Sequence, residues 1–387
     1  MNEQITTLAS LTIDGKGSYG IGASAVPFSK DLYTYLRITD IKDDGTLNLQ
    51  DLKSVDDVKA SEYLLKPNDI VFARTGASTG RNYFYDGTDG EFVYAGFLIK
   101  FSIDEKKVNP KYIKYFCQSK QYKDWINSFN TGSTRGNINA QTLGKMPIPL
   151  IERKTQDALV SIISSIDEKI KKNNAINNNL EQQAQAIYQQ MFIDNARSDW
   201  AEGTLSDISD ITMGQSPSGS SYNEDGTGTI FFQGRAEFGF RFPSVRLYTT
   251  EPKRMARSND TLMSVRAPVG DLNVAHMDCC IGRGLAAIHS KSHHQSFVLY
   301  TMFSLKKQLD VFNGEGTVFG SINRNSLNDM PILIPSDDIL DEFERIVAPM
   351  DLTIRNNYDE NCRLQDIRDT LLPRLMSGEL DVSDIDL

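Results

Sequence analysis

The sequence predicts an α+β protein: two tandem globular α/β domains separated by two long helices that form an antiparallel coiled coil, as a circular, pseudo-two-fold internal repeat. Three observations predict it. A heptad ladder is written twice, a β-rich mixed stretch precedes each copy, and a Gly/Asn-rich loop ending in a Met-Pro-Ile phrase joins stretch to ladder both times. Self-similarity on this scale decides architecture before any local reading does. The expected boundaries are 1–150 for the first domain, 151–197 for the central helix, 198–335 for the second domain and 336–387 for the C-terminal helix and tail.

The first ladder alternates steps of four and three through Leu159, Ile163, Ile166, Ile170, Asn173, Asn177, Leu180, Ala184, Ile187 and Met191. Adding 184 to each number gives the second, Phe343, Val347, Met350, Ile354, Asn357, Asn361, Leu364, Arg368, Leu371 and Leu375. A heptad seam wants a partner helix, and a buried asparagine in it costs stability while setting register and orientation. Each ladder is therefore expected to pair with the other, Asn173 opposite Asn361 and Asn177 opposite Asn357. Some forty residues at 1.5 Å each make a rod of roughly 55–60 Å, longer than a domain core needs, so it reads as a spacer. Pro349 lies inside the second ladder and predicts a kink or break, with 337–348 as a separate piece; Pro373 predicts a bend before a stop at Gly378.

A chain of 387 residues with 40% hydrophobic and 24% charged content belongs with globular proteins of two or three domains. It has no apolar run of membrane-spanning length, and its start lacks a signal-peptide pattern, which predicts a cytoplasmic protein. The four cysteines form no CxxC pair and read as reduced thiols; the four histidines between His276 and His294 lack metal-ligand spacing. The net charge of −10 is uneven: +1 over 1–150, 0 over 151–197, −2 over 198–335 and −9 over 336–387. Acidity thus sits in the last helix and tail, and each globular stretch is free to carry a locally basic face.

Taken in order, residues 1–150 show short β-like runs, YLRITDI, DIVFAR, NYFYDG and EFVYAGFLIKFSI, between Asp-Gly and Gly-rich breaks. A helix is expected over 109–129, with Pro110 in its first turn. The second stretch repeats this: TLSDISDITMG plays the part of TLASLTIDG, NDTLMSVRAPVGD the part of NDIVFARTGASTG, and a helix is expected over 295–311. The pre-helix loops match at the same offset of 184, Ile138–Asn139 with Ile322–Asn323 and Met146–Pro147 with Met330–Pro331, whereas Asn68 and Asn259 differ by 191, so the first domain carries insertions.

Sites for small-molecule chemistry fail on context. Gly15-Lys16-Gly17-Ser18-Tyr19-Gly20 spells GxGxxG but does not open a helix, as a dinucleotide site must. TGASTG after Arg74 lacks the Lys-Ser/Thr ending of a phosphate loop, and no HExxH helix or methyltransferase tetrad occurs. With no catalytic constellation, a binding protein is expected. What recurs is a loop of small residues, Arg and Asn before the rod, TGSTRGNIN and GEGTVFGSIN, preceded by an Arg-bearing turn after a strand. Small residues let backbone approach a polyanion, and Arg or Asn reads purine edges in pairs of hydrogen bonds.

The DNA-contact candidates in the first domain are Arg74, Thr75, Ser78, Thr79 and Arg81 on the turn, with Ser133, Thr134, Arg135 and Asn137 on the loop. In the second they are Gln233, Arg235 and Arg266, with Thr317, Ser321 and Arg324. Each arginine is read as serving either an ion pair or DNA, and each loop residue as either a contact or part of a tight turn. Asn173, Asn177, Asn357 and Asn361 are the register candidates; no catalytic or metal-binding residue is proposed. A two-headed adaptor that binds no DNA is the alternative, separable by the steep salt dependence of duplex binding.

The alternation of variable domain and long helix, with the phrases MPIPLIERKTQ, NDMPILIP and LLPRLMSGEL, resembles the specificity subunit of type I restriction-modification enzymes, over essentially the whole chain. The resemblance implies two target-recognition domains, each reading one half of a split double-stranded DNA site. It also implies docking of two adenine-specific modification subunits, which recruit restriction subunits. S-adenosylmethionine, ATP and Mg2+ would belong to those partners, and no cofactor to this chain.

Overall fold

A computed structural model describes residues 4–49, 51–129, 137–314, 320–380 and 382. The protein is a mixed helix and sheet structure that divides into two compact units, Met1–Ile170 with Cys362–Leu387, and Lys171–Asn361. Each long helix contributes residues to both.

In the first unit, Gln4–Thr7 pairs antiparallel with Pro147–Leu150, bringing the start of the globular stretch to its end. Between them lies an antiparallel sheet in the order Ser18–Tyr19, Leu98–Ser102, Asp69–Ala73, Asn82–Tyr85. Its strand Asp69–Ala73 is buried at every position, which explains the unbroken apolar run in DIVFA. A second sheet runs Ala25–Pro27, Lys53–Val55, Tyr33–Leu36, Phe92–Tyr94, the last pair parallel. The helix expected over 109–129 is two helices, Pro110–Phe116 and Lys120–Asn127. The break comes at Ser119, whose hydroxyl accepts Tyr122 N at 3.2 Å and starts a new helix; Asn109 caps the first one in the same way.

The second unit repeats the plan. Ala201–Thr204 pairs with Pro331–Ile334, and a sheet runs Ser209–Met213, Leu285–Ser290, Thr261–Ser264, Leu272–Val274. The companion sheet again contains one parallel pair, Thr229–Phe232 with Cys279–Ile281. The helical stretch expected over 295–311 is Gln295–Ser304 followed by the short turn Lys306–Leu309. Details coincide as well: Asn68 and Asn259 both adopt positive φ, 73° and 74°, a conformation asparagine tolerates at turns. Each precedes a buried aspartate, Asp69 or Asp260, that accepts the backbone N–H three residues earlier.

The register corrects one alignment. Thr7-Leu8 and Thr204-Leu205 are equivalent, since Leu8 and Leu205 donate to Met146 O and Met330 O. The glycine matching Gly214 is Gly20, not Gly15: both donate to the first residue of the next strand in the sheet, Leu98 or Leu285. A side chain at Gly20 would collide with the carbonyls of Tyr94 and Ala95, and one at Gly214 with those of Ile281 and Gly282. Close backbone approach explains the final glycine of the GxGxxG string, which follows strand Ser18–Tyr19.

The central helix spans Arg153–Tyr188 and continues as a π-helical turn, Gln189–Asp194. The C-terminal helix runs Asp337–Met376 without the break expected at Pro349. An internal proline costs about 3 kcal/mol. Phe343, Val347 and Ile354 flank it in the second unit's core, and each such burial returns about 1.5–3 kcal/mol. Packing therefore wins. Pro373 lies within the final turns, and Gly378, with φ 71°, follows the helix end.

Inside the second unit, Asn173 Nδ2 donates to Asn361 Oδ1 at 2.9 Å and to Glu360 Oε2 at 2.8 Å. Asn357 Nδ2 donates to Asn177 Oδ1 at 2.8 Å, and Asn361 Nδ2 to Asn174 Oδ1 at 2.9 Å. Asn173, Asn177 and Asn361 are buried, and each has a hydrogen-bond partner, as buried amides require. In the first unit, Leu159, Ile163, Leu372, Leu375 and Met376 share one core with Phe72, Phe101 and Tyr112.

Glu344 of the C-terminal helix accepts Phe297 N at 2.9 Å, and burial raises its carboxyl above the ordinary range. In the unfolded chain it ionises at lower pH, so the stability this group supplies is fullest below the ordinary carboxylate range and is lost as pH rises through its raised value. Glu344→Gln keeps an acceptor and removes the charge. Its melting temperature relative to the parent is expected to rise between pH 4 and pH 8, roughly the interval such shifts span; a difference independent of pH refutes this.

Candidate nucleic-acid interface

Both units form the same junction. In the first, the chain leaves strand Asp69–Ala73 through Arg74 and Thr75; Arg74 O accepts Ile138 N at 2.9 Å, and Thr75 bridges Asn137. In the second, Val265 O accepts Ile322 N at 3.1 Å, and Arg266 bridges Ser321. Just beyond, Asn139 and Asn323 cap short helices, accepting Thr142 N at 2.8 Å and Ser326 N at 2.9 Å. Each helix leads into the strand that closes its globular stretch, Pro147–Leu150 or Pro331–Ile334. The loop before the rod is thus pinned onto the Arg-bearing turn by backbone hydrogen bonds, which leaves side chains of both segments free to serve a ligand.

The junctions gather Arg74, Thr75 and Asn137 in one unit, and Arg266, Ser321 and Arg324 in the other. Ser133, Thr134, Arg135 and Thr317 lie outside the described residues. Asn137, Arg266, Ser321 and Arg324 are exposed. Arg266 has no side-chain partner among the described residues, and Arg324 lines an open depression of about 410 Å³ with Asn323, Asn325, Ser326 and Asp329. Arg74 stacks over the Tyr19 ring, 5.1 Å from its centroid, with its Nε buried and lacking a hydrogen-bond partner.

Two arginines are otherwise engaged. Arg81 places Nε 2.6 Å from Asp43 and reaches Ile41 O and Ser78 Oγ through Nη1. Arg235 pairs with Asp271 at 2.9 Å. Thr79 Oγ1 donates to Gly76 O at 2.8 Å inside its own turn, and Gln233 is exposed at the end of strand Thr229–Phe232. Three of the four histidines pair with carboxylates: His276 with Asp359, His289 with Asp260 and His294 with Asp341. Sequence reading missed Tyr19, whose hydroxyl accepts Ala140 N at 3.1 Å and so joins strand, turn and loop. The repeat alone did not show it, because Gly20 aligns with Gly214 only through backbone register, and strand Leu98–Ser102 lies between the strand of Tyr19 and the one that leads into Arg74.

The profile of the type I restriction modification DNA specificity domain family matches residues 30–182. The chain is 28% identical over 374 residues to a Methanocaldococcus jannaschii protein assigned as the type I restriction enzyme MjaX specificity subunit, covering 90% of this chain and 88% of that one. It is 22% identical over 404 residues to the Haemophilus influenzae type I restriction enzyme HindI specificity subunit, covering 82% and 87%. Among solved structures, the S subunit of a type I restriction-modification system from M. genitalium superposes with a TM-score of 0.62 at 17% identity, over 97% of this chain and 96% of that one. That likeness speaks for the fold.

Proposed function

We propose how this chain, which belongs to the specificity subunits of type I restriction-modification systems, reads its DNA: one half of a split target through each of its two junctions. The subunit is non-catalytic and confers DNA sequence recognition on the restriction-modification complex. The observation that carries the bipartite reading is the twinned junction, with the same backbone pinning at Arg74/Ile138 and at Val265/Ile322 and exposed polar side chains on both. Residues 1–150 and 198–335 act as the two target-recognition domains, and 151–197 and 336–387 as the spacer.

The helices form an antiparallel coiled coil about a pseudo-two-fold axis near the asparagines. Supporting this, low numbers on one helix meet high numbers on the other at Asn173–Asn361 and Asn177–Asn357. Helices of 36 and 40 residues extend about 54 and 60 Å and set the number of unread base pairs, as dimer geometry sets half-site spacing elsewhere. Two adenine-modification subunits dock on this frame and restriction subunits join through them. S-adenosylmethionine, ATP and Mg2+ are held by those partners, and the complex works in the cytoplasm; among the described residues no helix is long and apolar enough to cross a membrane.

The test is reconstitution with the neighbouring adenine methyltransferase, followed by mapping of N6-methyladenine. A split motif with an unread gap is expected. An unsplit motif, or none, overturns the reading.

A further inference from the structure

We infer that Arg74 reads a guanine in the half-site of the first globular stretch, positioned by Tyr19, and that the second stretch has no counterpart to this reader. The inference rests on the reading of the chain as a DNA specificity subunit and names one determinant within it. Three observations converge on Arg74. Its guanidinium lies over the Tyr19 ring, and Tyr19, 42% exposed, is itself tied by its hydroxyl to Ala140 N. Its Nε is buried without a partner, and no carboxylate pairs with it among the described residues. Its backbone is held on both sides, Arg74 N donating to Phe97 O and Arg74 O accepting Ile138 N.

An arginine spared from ion pairing and braced on an aromatic face keeps its planar fork in one orientation, and less order is lost when it binds. With Nε covered, the two terminal nitrogens remain as parallel donors. That pair matches O6 and N7 on the major-groove edge of guanine, which accept side by side. Arg81 and Arg235, whose forks are committed to Asp43 and Asp271, lack this freedom. Phe97, 57% exposed on the adjoining turn, adds apolar surface beside the reader.

The internal repeat shows what the second stretch has instead. Strand register makes Tyr19 equivalent to Met213, since their cross-strand partners Ile99 and Ala286 pair in turn with Phe72 and Met263. Arg74 corresponds to Val265, because each accepts from the isoleucine before the capping asparagine, and Phe97 corresponds to Gly284, whose carbonyl accepts Val265 N. Arg, Tyr and Phe are thus replaced by Val, Met and Gly on the same backbone. A Cβ at Gly284 would lie 2.9 Å from Gln233 O, so an aromatic residue has no room there. The frame is shared, and an arginine braced on an aromatic ring at this position occurs on one copy.

The experiment uses the full chain reconstituted with its methyltransferase subunits and maps N6-methyladenine on a random-sequence DNA library. In Arg74→Ala, one guanine of a single half-motif is expected to become degenerate, with discrimination falling about tenfold or more, while the other half-motif is unchanged and reports that the protein is folded. Arg74→Lys keeps charge and length but not the fork, and is expected to lose the same guanine. Tyr19→Phe should retain the motif and Tyr19→Leu should blur it at the same position; equal blurring in both would reduce Tyr19 to a structural hydrogen bond. Uniformly weaker methylation with the motif intact in Arg74→Ala, or retention of guanine in Arg74→Lys, overturns the inference and makes Arg74 a phosphate contact. Absence of any split motif with the parent chain is a different result and removes the underlying reading instead.

Discussion

Arg241→Ala is expected to lower the unfolding free energy by about 3–5 kcal/mol, the cost of stripping a buried ion pair of one partner. Arg241 is 5% exposed, and its guanidinium lies 3.1 Å from Glu181 of the central helix and 3.3 Å from Asp351 of the C-terminal helix. It also donates to Tyr300 OH at 3.1 Å, and that hydroxyl donates to Asp351 at 2.9 Å. Glu181 Oε2 makes a charge contact without hydrogen-bond geometry, and burial raises its carboxyl despite the arginine beside it. Desolvation already outweighs attraction there. Removing the cation leaves two half-buried carboxylates facing each other's charge. Replacing Arg241 by Met with Glu181 and Asp351 by Leu should restore stability to the parent's level or above, since well-packed apolar groups often equal a buried triad. Urea unfolding checks both; a loss under about 1 kcal/mol for Arg241→Ala, the range of an exposed pair, refutes the first.

Joint replacement of Asn173, Asn177, Asn357 and Asn361 by leucine is expected to stabilise the protein by about 2 kcal/mol or more, as polar burial gives way to apolar burial, and to loosen register. The mutual amide bonds hold only when Asn173 faces Asn361 and Asn177 faces Asn357. A cysteine pair introduced at Leu180 and Ile354, both packed with the second unit's core, reports the native register, and one at Leu180 and Val347 reports a slip by one heptad. The parent should form only the first disulfide and the leucine variant both. If the leucine variant also forms only the first, the asparagines do not set register.

The larger plan was legible because repetition makes a sequence its own comparison. The two ladders, the matched Asn68 and Asn259, and the capping asparagines at 139 and 323 all follow from offsets that anyone can count. Local signals opposed by packing were not legible. Pro349 states a break that Phe343, Val347 and Ile354 overrule, and Ser119 states a cap that an apolar pattern over 109–129 conceals. Charge partners remote in sequence were also invisible: nothing near Arg81 points to Asp43, nor near Arg235 to Asp271. Insertions hid Tyr19, since the offset between the copies changes across the first strand and only backbone register restores it.

The first unit is discontinuous, and this orders events during synthesis. Residues Met1–Ile170 share their unit with Cys362–Leu387, and Leu372, Leu375, Met376 and Val382 are part of its core. Between them the ribosome must make about 190 residues, Lys171–Asn361, which takes about 10–40 s at ordinary elongation rates. The second unit is contiguous and can close in that interval, whereas the first, though begun earlier, holds an open apolar face until the final helical turns arrive. The earlier-made half is therefore the one that finishes last, and the one exposed to chaperones and proteases in the meantime.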